Sequence, residues 1–178
     1  MLDKEIIELA EGFGFDKVAL IDASEIEFNE EFRKACEENR CGNYNACYSC
    51  PPDCGTFDEM KNKVLAHKKA LVFQKKVDLT VITNSPKAAK KEHSQLAVKL
   101  IEKLNENGIS GGLRVGASCC DCCAVCAKRS GEPCRFPEKA FSCMSAYCID
   151  CQKLAEKCGM SFTWSKDEVS FYGMYIFG

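Results

Sequence analysis

Histidine is scarce in this chain: the 178 residues contain only two, His67 and His93. Each lies in a Lys-rich stretch that reads as a helix surface, so histidine-based catalysis is not the expectation. Tryptophan occurs once. No stretch approaches the 18 apolar residues of a membrane span. The formal net charge is only −2, too small for nucleic-acid binding by bulk attraction. There is no P-loop. Gly108, Gly111, Gly112 and Gly116 read as turns and do not make a dinucleotide fingerprint. The N-terminal MLDKEIIELAEGFGF is acidic and amphipathic, without the basic start and apolar run of a secretory signal. Together these absences leave no obvious nucleotide site and no stretch long enough for a membrane-spanning helix, and they make a cytoplasmic chain the expectation.

What the chain has is cysteine, 15 residues of 178, or about 8%, at the level where composition itself signals a scaffold. The number is odd, so the cysteines cannot all pair within one chain. In the cytoplasm thiols stay reduced, so this density points to metal. The rest of the composition, 46% hydrophobic and 28% charged, is that of a globular protein. Its length suits a single metal-binding domain over 1–178.

Charge is uneven. Residues 1–38 hold 12 acidic and 4 basic side chains, while residues 61–103 hold 11 Lys and 3 acidic residues. Each segment reads as a solvated face or as a docking surface for a charged partner.

Hydrophobic spacing alternates between helix and strand. Helices are expected over 3–11, 28–38, from a Thr56 cap to about Ala66, from Ser85–Pro86 to Gly108, and over 150–157. Strands are expected at 17–21, 70–77, 80–83 and 111–117, with a final hairpin of 161–165 and 169–177. This pattern predicts an α/β layered domain with a mixed sheet flanked by helices. Two cysteine-rich loops, at about 36–55 and 118–158, interrupt it.

The second loop contains Cys120, Cys123, Cys126 and Cys134, spaced C-x2-C-x2-C-x7-C. Three cysteines two residues apart wrap a cubane and a remote fourth closes it, as in ferredoxin-like [4Fe–4S] sites. Pro133 precedes the fourth cysteine here rather than following it. The first loop offers Cys36, Cys41, Cys50 and Cys54, spaced C-x4-C-x8-C-x3-C. Zinc is the alternative metal, but tetrahedral thiolate zinc typically uses two separated C-x2-C knuckles. Other frames remain open, because Cys47-x2-Cys50-x3-Cys54 and Cys119-x2-Cys122-x3-Cys126 share a spacing. Cys143, Cys148, Cys151 and Cys158 offer a third set, or serve as small buried hydrophobes, or are spare thiols of an anaerobe.

The segments CEENRCGNYNACYSCPPDCGT, KALVFQ and GEPCRFPEKAFSCMSAYCIDCQKLAEKCGM resemble the predicted metal-binding proteins called domain of unknown function 2284. The resemblance runs over essentially the whole chain. It implies that Cys36, Cys41, Cys50 and Cys54, with Cys120, Cys123, Cys126 and Cys134, are metal positions, and it implies no reaction. Cys47, Cys119, Cys122, Cys143, Cys148, Cys151 and Cys158 depart from the family pattern.

Arg129 and Arg135 are candidates to offset cluster charge. Tyr44, Tyr48 and Phe136 are candidates to shield it from water. The leading expectation is electron transfer through at least two [4Fe–4S] clusters to a redox partner protein. The alternatives are a small-substrate reductase or sulfur-transfer enzyme with an open iron, where Cys119 or Cys122 carries the chemistry, and a cluster carrier or zinc-stabilised interaction module.

Overall fold

The computed structural model describes residues 1–162 and 167–178. Five strands form a mixed sheet: β1 (Lys17–Asp22), β2 (Lys69–Asp78), β3 (Leu113–Gly116), β4 (Ser142–Cys143) and β5 (Glu168–Phe177). Their order is β1–β2–β5–β3–β4. β2 and β5 pair antiparallel over their full length, Lys69 opposite Phe177 and Asp78 opposite Glu168. β3 is antiparallel to β5 and parallel to β4. The α/β class with a mixed sheet is therefore the one expected.

The period-2 alternation of strands sorts side chains onto two faces. Leu71, Phe73, Tyr175 and Phe177 pack with Ile6 and Ala10 of α1 (Asp3–Glu11) and with Leu100 and Leu104 of α5 (Pro86–Glu106). Ala70, Val72, Met174 and Ile176 face the opposite way. They pack with Met60 and Val64 of α3 (Phe57–Leu65) and with Leu154 and Ala155 of α6 (Cys151–Lys157). Cys54, Cys143, Cys151 and Cys158 join this second core, so the α3/α6 side of the sheet anchors the cysteine-rich segments.

Most elements lie where the spacing puts them. Thr56 caps α3 as a capping box: its N–H donates to Glu59 Oε2 at 2.8 Å, and Glu59 N–H donates to Thr56 Oγ1 at 3.3 Å. Pro86 opens α5. Three expectations differ. Residues 80–83 belong to a helix, α4 (Leu79–Asn84), because the Asp78 carboxylate accepts the Thr80 N–H at 2.7 Å and starts a helical turn directly after β2. The helix expected over 28–38 is only α2 (Phe32–Glu37), since Phe28 bridges to Ile149 instead. β5 is a strand as expected, but it pairs with β2 and β3. In the expected partner strand 161–165, residues 161 and 162 are not strand, and 163–165 lie outside the described residues.

His93 also differs from its expected surface position. It sits four residues after Ala89 and four before Ala97 on the buried stripe of α5 and is only 2% exposed. It packs edge-on to Phe15 and Phe171 and is tilted against Phe73. Burial lowers its pKa to about 4, with the nearby Arg114 charge adding to the shift.

The acidic and basic segments meet where β1 runs antiparallel to β2. Lys69 pairs with Asp22 at 2.9 Å and Asp3 at 3.4 Å, and Lys75 lies 3.8 Å from Asp16. Part of the charge asymmetry is thus answered within the fold.

Candidate metal centre

All fifteen cysteines are free thiols. The first loop begins at the end of α2, where Cys36 sits, and folds back through backbone turns that need left-handed residues. Asn39, Gly42 and Asn45 have φ of 53°, 72° and 52°. The turn from Cys50 closes with Cys54 N–H donating to Cys50 O at 3.1 Å. Gly55 then leads into α3 with φ 118°, and a Cβ there would lie 2.9 Å from Glu59 Oε2. The left-handed φ, more than this contact with a flexible side-chain tip, favours glycine at that position.

Arg33 of α2 lies inside this loop. Its Nη2 donates to Ala146 O at 3.1 Å and its Nη1 lies 3.7 Å from Cys54 Sγ. The Cys36 thiol reaches Ser145 O at 3.9 Å. Asn29 N–H donates to Cys148 O at 2.8 Å, and Cys148 itself has φ 54°. Cys36, Cys54 and Cys148 thus surround one guanidinium. Cys41 acts electrostatically on Cys36, as do Cys54 and Cys148. Burial raises the Cys36 and Cys148 thiols, and Arg33 partly offsets this. Arg33 desolvation would lower its own pKa, but Cys54 and Cys148 outweigh it and the net shift is upward.

The second loop leaves β3 at Gly116, where a Cβ would meet the Phe141 ring at 2.4 Å. It returns at Cys143, the residue paired with Gly116. Four contacts lock it to the first loop. Asn43 Nδ2 donates to Cys119 Sγ at 3.3 Å, Tyr48 Oη to Glu132 O at 2.6 Å, and Arg129 Nη2 to Gly42 O at 2.7 Å; Lys128 pairs with Asp53. The two loops therefore form one cysteine-rich body.

Within this body Cys120, Cys123, Cys126 and Cys134 come together. They line one enclosed space of about 20 Å³, with Cys47, Cys122, Tyr48, Arg135 and Phe136 completing its wall. Tyr48 and Phe136 thus border this space, Phe136 with much of its ring exposed. Tyr44 instead closes a turn, its N–H donating to Asn39 Oδ1 at 3.0 Å. Cys122 is pushed up to about 12 by burial and a hydrogen bond with Cys120. The Cys50 thiol hydrogen-bonds with Cys119 and Cys47, which raises its pKa and lowers theirs. Cys47 also interacts with Cys126.

Cys143, Cys148, Cys151 and Cys158 do not lie in one group of contacts. Cys148 belongs with Arg33, and Cys143 is near Cys36 and Cys119. Cys151 opens α6 and Cys158 follows its last residue, and burial pushes their thiols up to about 12 and about 11.

Arg33 and Asn43 carried no signal in the sequence, because long-range pairing brings them to the site; Cys148 was expected in a third set, and the same pairing places it near Arg33 instead. Among the described residues, no three His, Cys, Asp or Glu side chains are posed around the position of a single metal ion. The donor chemistry nonetheless suits a thiophilic metal: these are unpaired, mostly half-buried sulfurs in two adjoining loops.

Beside the body lies an open cleft of about 1140 Å³ between α5 and the second loop, bordered by both Cys54 and Cys122. Arg114 stands in its wall, stacked 3.6 Å above the Phe141 ring and donating to Ser94 Oγ at 2.6 Å. Its Nε is buried without a partner, and burial lowers its pKa.

The family profile described as predicted metal-binding protein, DUF2284, matches residues 19–177. The chain belongs to that family. The match spans both cysteine-rich loops and every strand except the start of β1. No curated protein and no solved structure matches the chain. What DUF2284 membership carries is metal binding, with the metal unspecified.

Proposed function

We propose that this chain is a cytoplasmic iron–sulfur protein holding at least two [4Fe–4S] clusters and passing single electrons to a redox partner protein. The observation that carries this reading is the gathering of Cys120, Cys123, Cys126 and Cys134 around one enclosed space. Their sequence spacing suits a cubane better than two zinc knuckles. Cys36, Cys41, Cys50 and Cys54 would supply ligands for the other cluster, with Arg33 beside Cys54. A bound cluster would supply one-electron storage.

The chain's own residues do the rest. Asn43 donates to a cysteine sulfur, and Arg33 sets a cation beside Cys54. Both set hydrogen-bond donors beside sulfurs, which would tune a bound cluster. Tyr48 and Phe136 border the second set. A space of about 20 Å³ is water-sized, so a cluster held by these residues would require the thiols to part and to give up their protons.

The test is a redox titration of the anaerobically purified chain followed by EPR. Reversible one-electron signals, with electrons delivered to a viologen acceptor, are expected. A chain that takes up no electrons contradicts electron transfer.

A second reading, a small-substrate reductase, is favoured by the cleft that borders Cys54 and Cys122. An EPR signal shifted by cyanide would report an open iron and favour it.

A further inference from the structure

We propose that the cleft between α5 and the second loop is a binding site for a small organic carboxylate with an apolar body, anchored on the Arg114 guanidinium. The proposal goes beyond the electron-transfer reading and does not need it, because no cysteine holds this ligand.

Strand alternation puts Arg114 at the cleft. Leu113 and Val115, its neighbours in β3, pack with the α3/α6 core, so Arg114 faces the α5 side of the sheet. There it lies opposite Tyr175 of β5. Tyr175 belongs to the apolar core beneath α5, which among the described residues takes no side chain from β3. The cleft of about 1140 Å³ opens beside that core, with Arg114 in its wall.

The surroundings hold the guanidinium still. It lies 3.6 Å above the Phe141 ring, which is 5% exposed. Its Nη2 donates to Ser94 Oγ at 2.6 Å and to Ser94 O at 3.3 Å, and Ser94 is itself buried. The adjoining wall is equally fixed. Tyr175 Oη donates to Asn105 Oδ1 at 3.0 Å and accepts the Gly112 N–H at 3.0 Å. A Cβ at Gly112 would lie 2.6 Å from the Tyr175 ring.

What this fixed cation lacks is an anion. Among the described residues no carboxylate forms an ion pair with Arg114, and Asp121 acts on it only at longer range. Its Nη1 makes no hydrogen bond among the described residues, and its Nε is buried without a partner. A part-buried charge without a counter-charge is costly. This one borders a cleft large enough for a small molecule. A carboxylate bound there would supply the missing charge through a charge-assisted hydrogen bond.

The other wall residues decide the class of ligand. Asp53 pairs with Lys128, and Lys63 donates to Cys54 O at 3.0 Å. Exposed Lys91, Lys99 and Lys139 are answered by exposed Glu102, Asp121 and Glu138. One fixed guanidinium therefore remains for the ligand. That suits a single carboxylate, whereas the second charge of a phosphate would find no second fixed cation. Leu113, Phe141, Ile101 and Val98 supply apolar wall, Val98 being 37% exposed, and they fit the ligand's body.

The experiment is calorimetric titration of the full-length, anaerobically purified protein with benzoate, benzamide and inorganic phosphate. Benzoate is expected to bind about tenfold or more tighter than either of the others. Arg114→Gln is expected to weaken benzoate by about tenfold or more. Val98→Glu, at an exposed position of α5, sets a like charge in the wall. It is expected to weaken benzoate severalfold while circular dichroism and iron content stay as in wild type, so a misfolded Arg114→Gln does not decide the matter. A wild type that binds no benzoate, or binds it no better than benzamide, would overturn the proposal, as would unchanged benzoate affinity in folded Arg114→Gln or in Val98→Glu. Phosphate binding tighter than benzoate would overturn the carboxylate class. These outcomes leave the iron–sulfur reading standing, since its failure shows separately as a chain without iron.

Discussion

The Arg33 guanidinium lies 3.7 Å from the sulfur of Cys54 and holds, through its other terminal nitrogen, the carbonyl of Ala146 at 3.1 Å. One side chain from α2 thereby joins the start of the first loop, its last cysteine and the turn that carries Cys148. Replacing Arg33 with Leu removes a charge-assisted contact and leaves a carbonyl without its donor. A loss of about 1 kcal/mol is expected in denaturant unfolding, with faster iron release to a chelator. Unchanged release would mean that the cation does not support the site.

His93 makes stability depend on pH. Its folded-state pKa is about 4 against an ordinary value of 6.5. Between those values the unfolded chain binds the extra proton and the folded chain does not. Stability is therefore full above about pH 6.5 and falls as pH drops toward 4, by up to about 3 kcal/mol. His93→Leu removes this dependence. Urea midpoints for wild type and variant should diverge with falling pH across that window, and parallel curves would refute the burial argument.

Gly116 sets the exit of the second loop. A Cβ there meets the Phe141 ring at 2.4 Å, so Gly116→Ala forces ring or strand to shift. Overpacking of this kind costs about 1–3 kcal/mol. A lower melting temperature and weaker metal retention are the expected results. A variant as stable as wild type would show that Phe141 yields freely.

Cys158 packs in the α3/α6 core beside Cys151. Cys158→Ala should leave iron content unchanged and cost about 1 kcal/mol for the lost packing. Loss of iron in this variant would make Cys158 a ligand.

Much of the fold was legible because its signals are local. The Thr56–Glu59 box, Pro86 at the start of α5 and the apolar run Ala70–Phe73 in β2 each specify structure within a few residues. Residues 79–84 misled because Leu, Thr, Val and Ile favour strands, whereas the Asp78 cap decides for helix. His93 had a readable signal in its spacing from Ala89 and Ala97, but the neighbouring lysines obscured it. The second-loop cysteines were readable from spacing, since Cys120, Cys123 and Cys126 lie within seven residues and Cys134 follows. The neighbours of Cys148 were not readable. They depend on the Phe28–Ile149 bridge and the Asn29–Cys148 hydrogen bond, contacts more than a hundred residues apart in sequence.

The most direct measurement is iron, acid-labile sulfide and zinc per chain after anaerobic purification. Iron and sulfide in equal amounts, at about eight or more of each per chain, is the predicted result. Zinc without sulfide would contradict the redox account and leave a zinc-stabilised binding module.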